Sequence, residues 1–455
     1  MGGAAGTKGL ERAQRGVCRL RYAVARGIFA LGVVLFAARS FAQELSSRPG
    51  GDLTSDLPNP LAVQVAAPNV VDPARREAQG QGFAPFHSIR TKNEGLGPAF
   101  INASCGGCHV NNGRGAATIS RSQGAPSQMV VKVRVPDDGS SATPRVVLDE
   151  GTQIRDHSVD GSPTARVKLS WTYLVGQYPG GARYELRKPK VSVLLAKGSK
   201  RRIVTSLRMS PPIIGPGLLE AVPWETLLQQ SLAPDAIQER VSGRINWVTE
   251  VRTGRFAVGR FGFKATHPTV EQQSAAALYN DMQITNPIFN EPGSVPEVSE
   301  EELSALSIYQ KLGGVPAAVD QDAPEVISGK KLFFSLGCEV CHRSTLVTGE
   351  HPDPELRNQT IHPYTDLLLH DMGARLSDGF REYSATGTEW RTTPLWGLRA
   401  IPDRERASVY LHDGRARTIE EAILWHGGEA ARAQRRFVAL KTKEREALLR
   451  FLRAL

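Results

Sequence analysis

Residues 104–110 read Ser-Cys-Gly-Gly-Cys-His-Val, and residues 337–343 read Gly-Cys-Glu-Val-Cys-His-Arg. The chain therefore carries the pattern Cys-x-x-Cys-His twice, more than two hundred residues apart. Apart from these four cysteines, the 455 residues contain only Cys18. Because cysteine is so strongly concentrated, the two motifs carry the clearest functional signal in the sequence.

The pattern matches the geometry that covalent haem attachment requires. Two intervening residues place the thiols about one helical turn apart, where they reach two vinyl groups, and the histidine that follows reaches the iron. A four-cysteine zinc site usually brings its paired motifs within tens of residues of each other, and thioredoxin-like disulfides would leave both histidines without a role. The sequence therefore predicts two covalently bound haem c groups, haem one held by Cys105, Cys108 and His109 and haem two by Cys338, Cys341 and His342.

The N-terminal segment has the features of a secretory signal peptide. Basic residues dominate residues 1–26, an apolar run of 12 residues follows at 27–38, and small residues precede a cut after Ala42. A spanning helix needs roughly 20 apolar residues, so this run is too short to be one. We expect residues 1–42 to be removed after Sec-dependent export, which leaves a periplasmic or secreted protein without a transmembrane span.

Cleavage would also change the charge of the protein. The whole chain has a formal net charge of +10, and removal of residues 1–42 would leave +4. A nucleic-acid partner is therefore not expected, since the basic surplus lies mostly in the targeting signal. Any electrostatic steering of a partner would have to come from a local patch, such as residues 197–202.

Composition and periodicity predict how the mature chain is organised. Residues 43–75 are rich in Pro, Ser, Asp and Ala and are expected to form an extended leader. We expect a mainly α fold with long loops and two haem domains, residues 76–295 and residues 296–455. A small β-rich excursion is inserted in the first domain at about residues 125–210, where β-prone segments alternate with Gly-rich turns. An amphipathic C-terminal helix from Thr442 is expected to pack on the helix before the second motif.

Several segments outside the cysteine motifs form a further set. They are His370-Asp-Met-Gly373, Trp390-Arg-Thr-Thr-Pro-Leu-Trp-Gly397, Tyr410-Leu-His-Asp-Gly-Arg-Ala416, Glu420-Glu-Ala-Ile-Leu-Trp-His426, Gly215-Pro-Gly-Leu-Leu-Glu-Ala221 and Gly259-Arg-Phe-Gly-Phe-Lys-Ala265. With the two motifs, they resemble the bacterial di-haem oxidoreductases, which are related to di-haem cytochrome c peroxidases and to the latex-cleaving oxygenases. The resemblance covers roughly residues 75–455. It implies two cytochrome c-like domains that face each other, one haem transferring electrons and the other reacting.

The resemblance also implies ligands for haem two. In the related peroxidases, a methionine fourteen residues after the histidine of a segment like residues 410–414 ligates this haem. The same spacing from His412 leads here to His426. We therefore expect His342 and His426 to ligate haem two, with Met372 as the alternative, and a second imidazole would lower the reduction potential. His412 is expected to lie beside the haem as a catalytic hydrogen-bonding residue and not as a ligand.

The sixth ligand of haem one is not evident from spacing. The position is either open or filled by His87, Lys264 or Met282. An open position would admit peroxide or oxygen, and peroxide cleavage would need a nearby acid–base group. The carboxylate motif that supplies this group in di-haem peroxidases is not recognisable here, and Glu220 is the candidate that replaces it as a catalytic residue.

Together these features predict an oxidoreductase in which haem two relays electrons to a reactive haem one. The expected partners are a small periplasmic electron donor, such as a cytochrome or cupredoxin, and a small oxidant, either peroxide or oxygen. Two alternatives stay open: a di-haem electron-transfer cytochrome without a catalytic site, and a haem dioxygenase that acts on an apolar substrate. Peroxide turnover with a reduced donor separates the enzyme from the carrier, and oxygen consumption without a reductant identifies the dioxygenase.

Overall fold

The computed structural model describes residues 47–119, 126–134, 152–161, 163–195, 203–232, 241–400 and 409–455. The expected signal peptide at residues 1–42 lies outside the described residues, as do Cys18 and the basic stretch at 197–202. Of the helices that the structure describes, none is long and apolar enough to cross a membrane.

The described chain is helix-rich with several small sheets. Its α-helices are α1 (Leu61–Gln64), α2 (Pro73–Gln81), α3 (Phe83–His87), α4 (Cys105–Cys108), α5 (Pro216–Glu220), α6 (Trp224–Ser231), α7 (Val270–Met282), α8 (Glu300–Lys311), α9 (Pro324–Ser335), α10 (Ile419–Trp425), α11 (Ala431–Ala439) and α12 (Thr442–Ala454). Single 3₁₀ turns lie at Gly51–Leu53, Lys92–Glu94, Val110–Asn112, Cys338–Val340, Pro354–Leu356, Leu398–Ala400 and Gly428–Ala430. The strands are β1 (Thr54–Ser55), β2 (Ala99–Phe100), β3 (Met129–Arg134), β4 (Gln153–Ile154), β5 (His157–Ser158), β6 (Ala165–Gln177), β7 (Arg183–Leu195), β8 (Val204–Met209), β9 (Trp247–Glu250), β10 (Arg255–Val258), β11 (Val315–Pro316), β12 (Leu346–Val347), β13 (Thr360–Ile361), β14 (Leu369–Asp371) and β15 (Glu389–Arg391).

The β excursion forms two antiparallel units. Strands β4, β3 and β8 make a three-stranded sheet, and β6 pairs with β7 from Ala165 opposite Leu195 to Gln177 opposite Arg183. Strands therefore lie where the β-prone segments predicted them. Their packing differs from expectation, because Val131 and Met209 share a hydrophobic core with Phe451 of the C-terminal helix. An insertion in the first half of the sequence thus packs against the second half.

Helix α8 belongs to the core around the first motif. The Ser299 hydroxyl caps its first turn, and Leu303 and Leu306 are buried with Phe86 and Met282 in one cluster. The sequence placed this helix in the second domain because a linker marked by Pro292 and Pro296 precedes it. Its apolar face is instead covered by α7, so the boundary expected at residue 296 separates two helices that form a single core.

Residues 47–75 are folded and do not form an extended leader. Leu53, Val63 and Val70 are buried in a cluster that also contains Leu218 and Trp396. Strand β1 pairs in parallel with β11, which ties the segment to the chain after α8. The apolar residues occur in short runs, such as residues 61–63, 65–67 and 70–71, that prolines and polar residues interrupt, so no run is long enough to reveal a helical or strand period.

The C-terminal helix α12 packs on α9, as the sequence predicted. The two helices approach most closely at Gly329, where a Cβ atom would lie 2.0 Å from the carbonyl oxygen of Ala447 and 2.7 Å from the Cβ atom of Phe451. The rings of Phe333 and Phe451 meet beside this point, with centroids 5.6 Å apart. Since α9 leads directly into the second motif, this contact positions Cys338.

We expect Gly329→Ala to destabilise the protein by about 1–3 kcal/mol, because the added methyl group has no room between the two helices. Gly80→Ala is the matched control: Gly80 lies in α2 and a Cβ atom there meets nothing within 4 Å. That substitution should be neutral or stabilise by up to about 1 kcal/mol. Denaturant unfolding of both variants measures the difference, and equal stabilities would contradict the tight packing of α9 on α12.

Candidate haem centres

The first motif is held in a tight turn. Helix α4 begins after Ser104, whose hydroxyl accepts a hydrogen bond of 3.0 Å from the Gly107 N–H. A Cβ atom at Gly106 would lie 2.5 Å from Nδ1 of His87, and one at Gly107 would lie 2.1 Å from the Asn102 side chain. Glycine at both positions between the cysteines therefore lets the side chains of His87 and Asn102 pack directly against the turn.

His109 presents one ring nitrogen to a cavity beside this turn. Its Nδ1 donates a hydrogen bond of 2.7 Å to the carbonyl oxygen of Pro211. Its Nε2 makes no hydrogen bond to the described residues, and the ring lines a cavity together with Cys105 and Cys108. Burial lowers the pKa of His109 to about 4, so the imidazole is neutral at physiological pH. A neutral imidazole held through Nδ1 is the usual form of a metal ligand.

The second motif is built differently but presents its histidine in the same way. Gly337 turns the chain with a φ of 84°, and Nδ1 of His342 donates a hydrogen bond of 2.9 Å to the carbonyl oxygen of Tyr364. Tyr364 itself has a φ of 54°, a left-handed conformation that costs a residue with a side chain about 1–2 kcal/mol. Burial lowers the pKa of His342 to about 4, so this imidazole is neutral as well.

His426 faces the cavity of the second motif. It ends helix α10, and its Nδ1 donates a hydrogen bond of 2.7 Å to the carbonyl oxygen of Ala422 one turn earlier. His342 and His426 line the same cavity, and the nearness of His426 adds to the effect of burial in lowering the pKa of His342. His426 caps the helix through Nδ1 alone. Its Nε2 is therefore available to bind a metal.

Other candidates near the second motif are already engaged. Both ring nitrogens of His370 bond to carboxylates, Nε2 to Asp366 at 2.8 Å and Nδ1 to Glu429 at 2.9 Å. Burial opposes the charged form, but Asp366 raises the pKa of His370 well above its ordinary value. His370 is therefore a cation held by two carboxylates. Met372 lines the cavity and stays a geometric alternative to His426.

His412 lies in the wall of the same cavity. Its ring stacks on Trp390 with centroids 3.5 Å apart and ring planes at 9°. Burial, with the charges of Arg415 and Arg208, lowers the pKa of His412 well below its ordinary value, so the ring is neutral. This position agrees with the expected place beside the haem, while its catalytic role stays a prediction.

Of the three side chains considered for haem one, Met282 lines the cavity of the first motif. His87 is absent from the described lining residues, and its Nε2 bonds to the hydroxyl of Tyr309 at 3.0 Å. Lys264 is also absent from that lining, and its Nζ donates to the carbonyl oxygens of Thr386 and Glu389. The open position and Met282 are therefore the alternatives that agree with the geometry.

Glu220 follows Leu219, which lines the first cavity, but Glu220 itself is not among the described residues of that lining. Its carboxylate accepts a hydrogen bond from the Val270 N–H at the start of α7 and bonds to Nε2 of His351 at 3.1 Å. It is absent from the described residues that line the cavity. Its catalytic role stays a prediction that the geometry does not favour.

Asp281 is the residue that sequence reasoning missed. It is the one carboxylate among the described residues that line the first cavity, and its Oδ1 atom is buried without a hydrogen-bond partner. Burial raises the pKa of Asp281 to about 7. The residue lies three turns along α7 from Val270, on the helix face that also brings Gln273 and Ser274 into the cavity. That periodicity was visible in the sequence, but the cavity it faces was not.

Two buried arginines show that the cavities suit haem. Arg391 lines both cavities, and Arg114 lines the second. Burial lowers the pKa of each to about 10, so both remain charged. Neither forms an ion pair with a carboxylate within the described ranges, and Nε of Arg114 lacks any partner there. A buried cation needs an anion nearby, and the two propionates of a haem group supply one.

The two cavities share a wall. Besides Arg391, Thr393 and Pro394 line both, and Trp396 lines the first while Trp390 lines the second. All of these residues belong to one stretch of chain that begins in β15. One segment therefore lines the cavities of both motifs, although the motifs lie far apart in the sequence.

A family model described as "Di-haem oxidoreductase, putative peroxidase" matches residues 117–296 and 290–455. Among solved structures, hydrazine synthase of Kuenenia stuttgartiensis is similar with 19% sequence identity and a TM-score of 0.27, and the match covers 40% of this chain and 61% of that chain. A TM-score this low carries no argument about fold or function. No curated protein sequence matches the chain.

We expect His426→Ala to convert the iron of the second site from low spin to high spin, because the second imidazole is removed. Low-temperature EPR of the ferric protein measures the change. Met372→Leu is the matched control, since Met372 lines the same cavity. An unchanged low-spin signal in His426→Ala, together with its loss in Met372→Leu, would transfer the ligand assignment to Met372.

Proposed function

Because the chain belongs to the di-haem oxidoreductase family, we propose that it is a c-type di-haem enzyme that reduces a small oxidant, peroxide in the first instance, at the site of the first motif. Electrons enter at the site of the second motif and cross the shared wall at residues 391–396. The proposal includes two cytochrome c-like haem domains, export through the expected signal peptide, and a small periplasmic cytochrome or cupredoxin as donor.

One observation carries this proposal. Each Cys-x-x-Cys-His motif lines its own cavity, and in each the histidine has Nδ1 bound to a backbone carbonyl while the residue lines that cavity. The second cavity contains a further imidazole with the same arrangement, His426, whereas the described lining of the first contains none. Because of this difference, the second site suits electron transfer and the first site suits substrate binding.

Haem, when bound, would supply a one-electron redox centre at each site and a metal position for the oxidant at the first. The residues of the chain hold the group and set its surroundings. The cysteines anchor the group covalently, Arg114 and Arg391 offset its propionate charge, and the apolar side chains of Leu219 and Phe261 restrict water in the first cavity. Asp281 holds a proton at a carboxylate oxygen inside that cavity, where an acid–base group is required for O–O cleavage.

A di-haem electron carrier is the second candidate, and Met282 is the observation that favours it. This residue lines the first cavity, and its thioether would close the metal position if it were a ligand. EPR of the ferric holoprotein separates the two. A high-spin signal beside a low-spin one supports the enzyme. Two low-spin signals support the carrier, provided that the iron that stays ferric after partial reduction is still low-spin. Steady oxygen consumption without a reductant would instead indicate the dioxygenase.

We expect Asp281→Asn to lower kcat for peroxide reduction by about 10²- to 10⁴-fold, because the amide cannot take up and return a proton. Peroxide-dependent oxidation of a reduced donor measures this rate in protein of equal haem content. Glu220→Gln tests the competing assignment and should change kcat by less than about tenfold. A large loss in Glu220→Gln with little change in Asp281→Asn would reverse the two roles.

A further inference from the structure

The long ribbon of the β excursion consists of two strands with unlike sequences. Strands β6 and β7 are each 13 residues long, and no other described strand pairs with them. Strand β7 contains Pro189 and charged residues at positions 183, 185, 187, 188 and 190. Residues 169–177 of β6, Leu-Ser-Trp-Thr-Tyr-Leu-Val-Gly-Gln, contain no proline and no charged residue. Since lysine and proline are residues that oppose the pairing of a strand edge with another chain, β7 has this protection and residues 169–177 do not.

Strand β7 is attached to the body of the protein. Arg187 donates a hydrogen bond of 2.9 Å to the carbonyl oxygen of Gly414, and Arg417 donates one of 2.9 Å to the carbonyl oxygen of Glu185. The backbone of residues 169–177 makes no hydrogen bond to any described residue outside β7. The N–H and C=O groups on the far side of β6 therefore lack a partner within the described chain. We call residues 169–177 the free edge.

The free edge exposes side chains on both faces of the ribbon. Tyr173, Leu174 and Val175 are consecutive in the chain, and all three are exposed. Because successive side chains of a strand point to opposite faces, this part of β6 is open to solvent on either side. Unpaired backbone groups beside aromatic and β-branched side chains without charge are the features of an edge to which a further strand adds.

We propose that the free edge pairs with the free edge of a second copy of this chain, antiparallel about a two-fold axis at Tyr173. In this register the two Tyr173 side chains meet at the axis, and Trp171 of each copy faces Val175 of the other. Lys168 of each copy lies beyond the paired run at opposite ends, whereas parallel pairing would bring both Lys168 side chains to the same end. The run is therefore complementary to itself, as a two-fold interface requires.

The protected strand explains why the assembly stops at two copies. The pairing produces a four-stranded sheet in the order β7–β6–β6–β7, so both outer strands are β7. Pro189 has no N–H to donate, and Lys188 and Lys190 oppose the approach of a further basic strand. A strand of an unrelated protein would bring an outer edge of its own, whereas a second copy brings the protected β7. The unlike sequences of the two strands therefore favour a closed dimer of this chain.

Two lysine substitutions test the position of the interface. Val175 on β6 is 70% exposed and Leu194 on β7 is 69% exposed, so Val175→Lys and Leu194→Lys change charge equally at equally exposed sites. In the dimer Val175 faces Trp171 of the second copy, and the Arg187 guanidinium lies over that ring, 4.0 Å from its centroid. Because the introduced lysine would meet this positive charge, we expect Val175→Lys to raise the dissociation constant of the dimer at least about tenfold. Leu194→Lys should raise it by less than about twofold. Sedimentation velocity of the holoprotein over a concentration series measures both constants.

A cysteine at the axis tests the register directly. Residues that face each other in an antiparallel pair have Cα atoms about 4.5–5.5 Å apart, a separation that a disulfide spans. Mild oxidation of Tyr173→Cys holoprotein should therefore give a covalently linked dimer, seen on a non-reducing gel and lost on reduction. Leu194→Cys and the unchanged protein are the controls, and both should remain single chains. This variant also decides the matter if Val175→Lys fails to fold, which haem content and thermal unfolding reveal.

Each other outcome overturns a defined statement. An unchanged protein that sediments as a monomer across the whole series overturns the dimer. Equal weakening by the two lysine substitutions, or a dimer that neither affects, places the interface away from the free edge. Crosslinking of Leu194→Cys to the same extent as Tyr173→Cys overturns the register at Tyr173. Species larger than a dimer would mean that the β7 edges pair as well, which overturns the closed assembly.

Discussion

The hydrogen bond from Nδ1 of a histidine to a backbone carbonyl is the interaction on which both sites depend. It fixes the tautomer, sets the plane of the ring and leaves Nε2 as the one nitrogen that a metal can reach. His109, His342 and His426 each have this bond, to Pro211, Tyr364 and Ala422 respectively. Burial keeps all three rings neutral, so the protein does not have to remove a proton before a metal binds.

The carbonyl group that accepts the hydrogen bond of His109 is positioned by the β excursion. Pro211 follows β8, and β8 is aligned by β3 in the sheet of the insertion. The insertion also packs on Phe451 and Met209 bonds through its N–H to the carbonyl oxygen of His412. The β excursion therefore connects the ligand of the first site with the wall of the second. The excursion contacts both halves of the chain, so it is not a part of the first domain alone.

The sequence predicted what depends on short spacing. The C-terminal helix is a local pattern, and it packs where the sequence placed it. The two cysteine motifs and His426, which the family resemblance indicated, line cavities, while their roles in holding haem stay predictions. Three features were not predictable in the same way: the cavity position of Asp281, the cavity position of Arg391, and the packing of α8 in the core around the first motif. Each depends on which residues from remote parts of the chain form one cavity or one core, and neither spacing nor periodicity contains that information. Glu220 shows the converse: it was chosen from a family-like segment, the structure does not place it among the described lining of the first cavity, and its catalytic role stays a prediction.

Arg391 is a single positive charge placed between two redox sites. Its guanidinium donates to the carbonyl oxygens of Gly262 and Thr392, so backbone contacts hold it in place. The charge of Asp366 favours its charged form, but no carboxylate in the described chain forms a direct ion pair with it. Because reduction adds a negative charge, a fixed positive charge at this position would favour the reduced state of a haem bound in either cavity. With haem at both sites, Arg391 would therefore raise both reduction potentials, and a change at this residue would shift both in the same direction and not one alone.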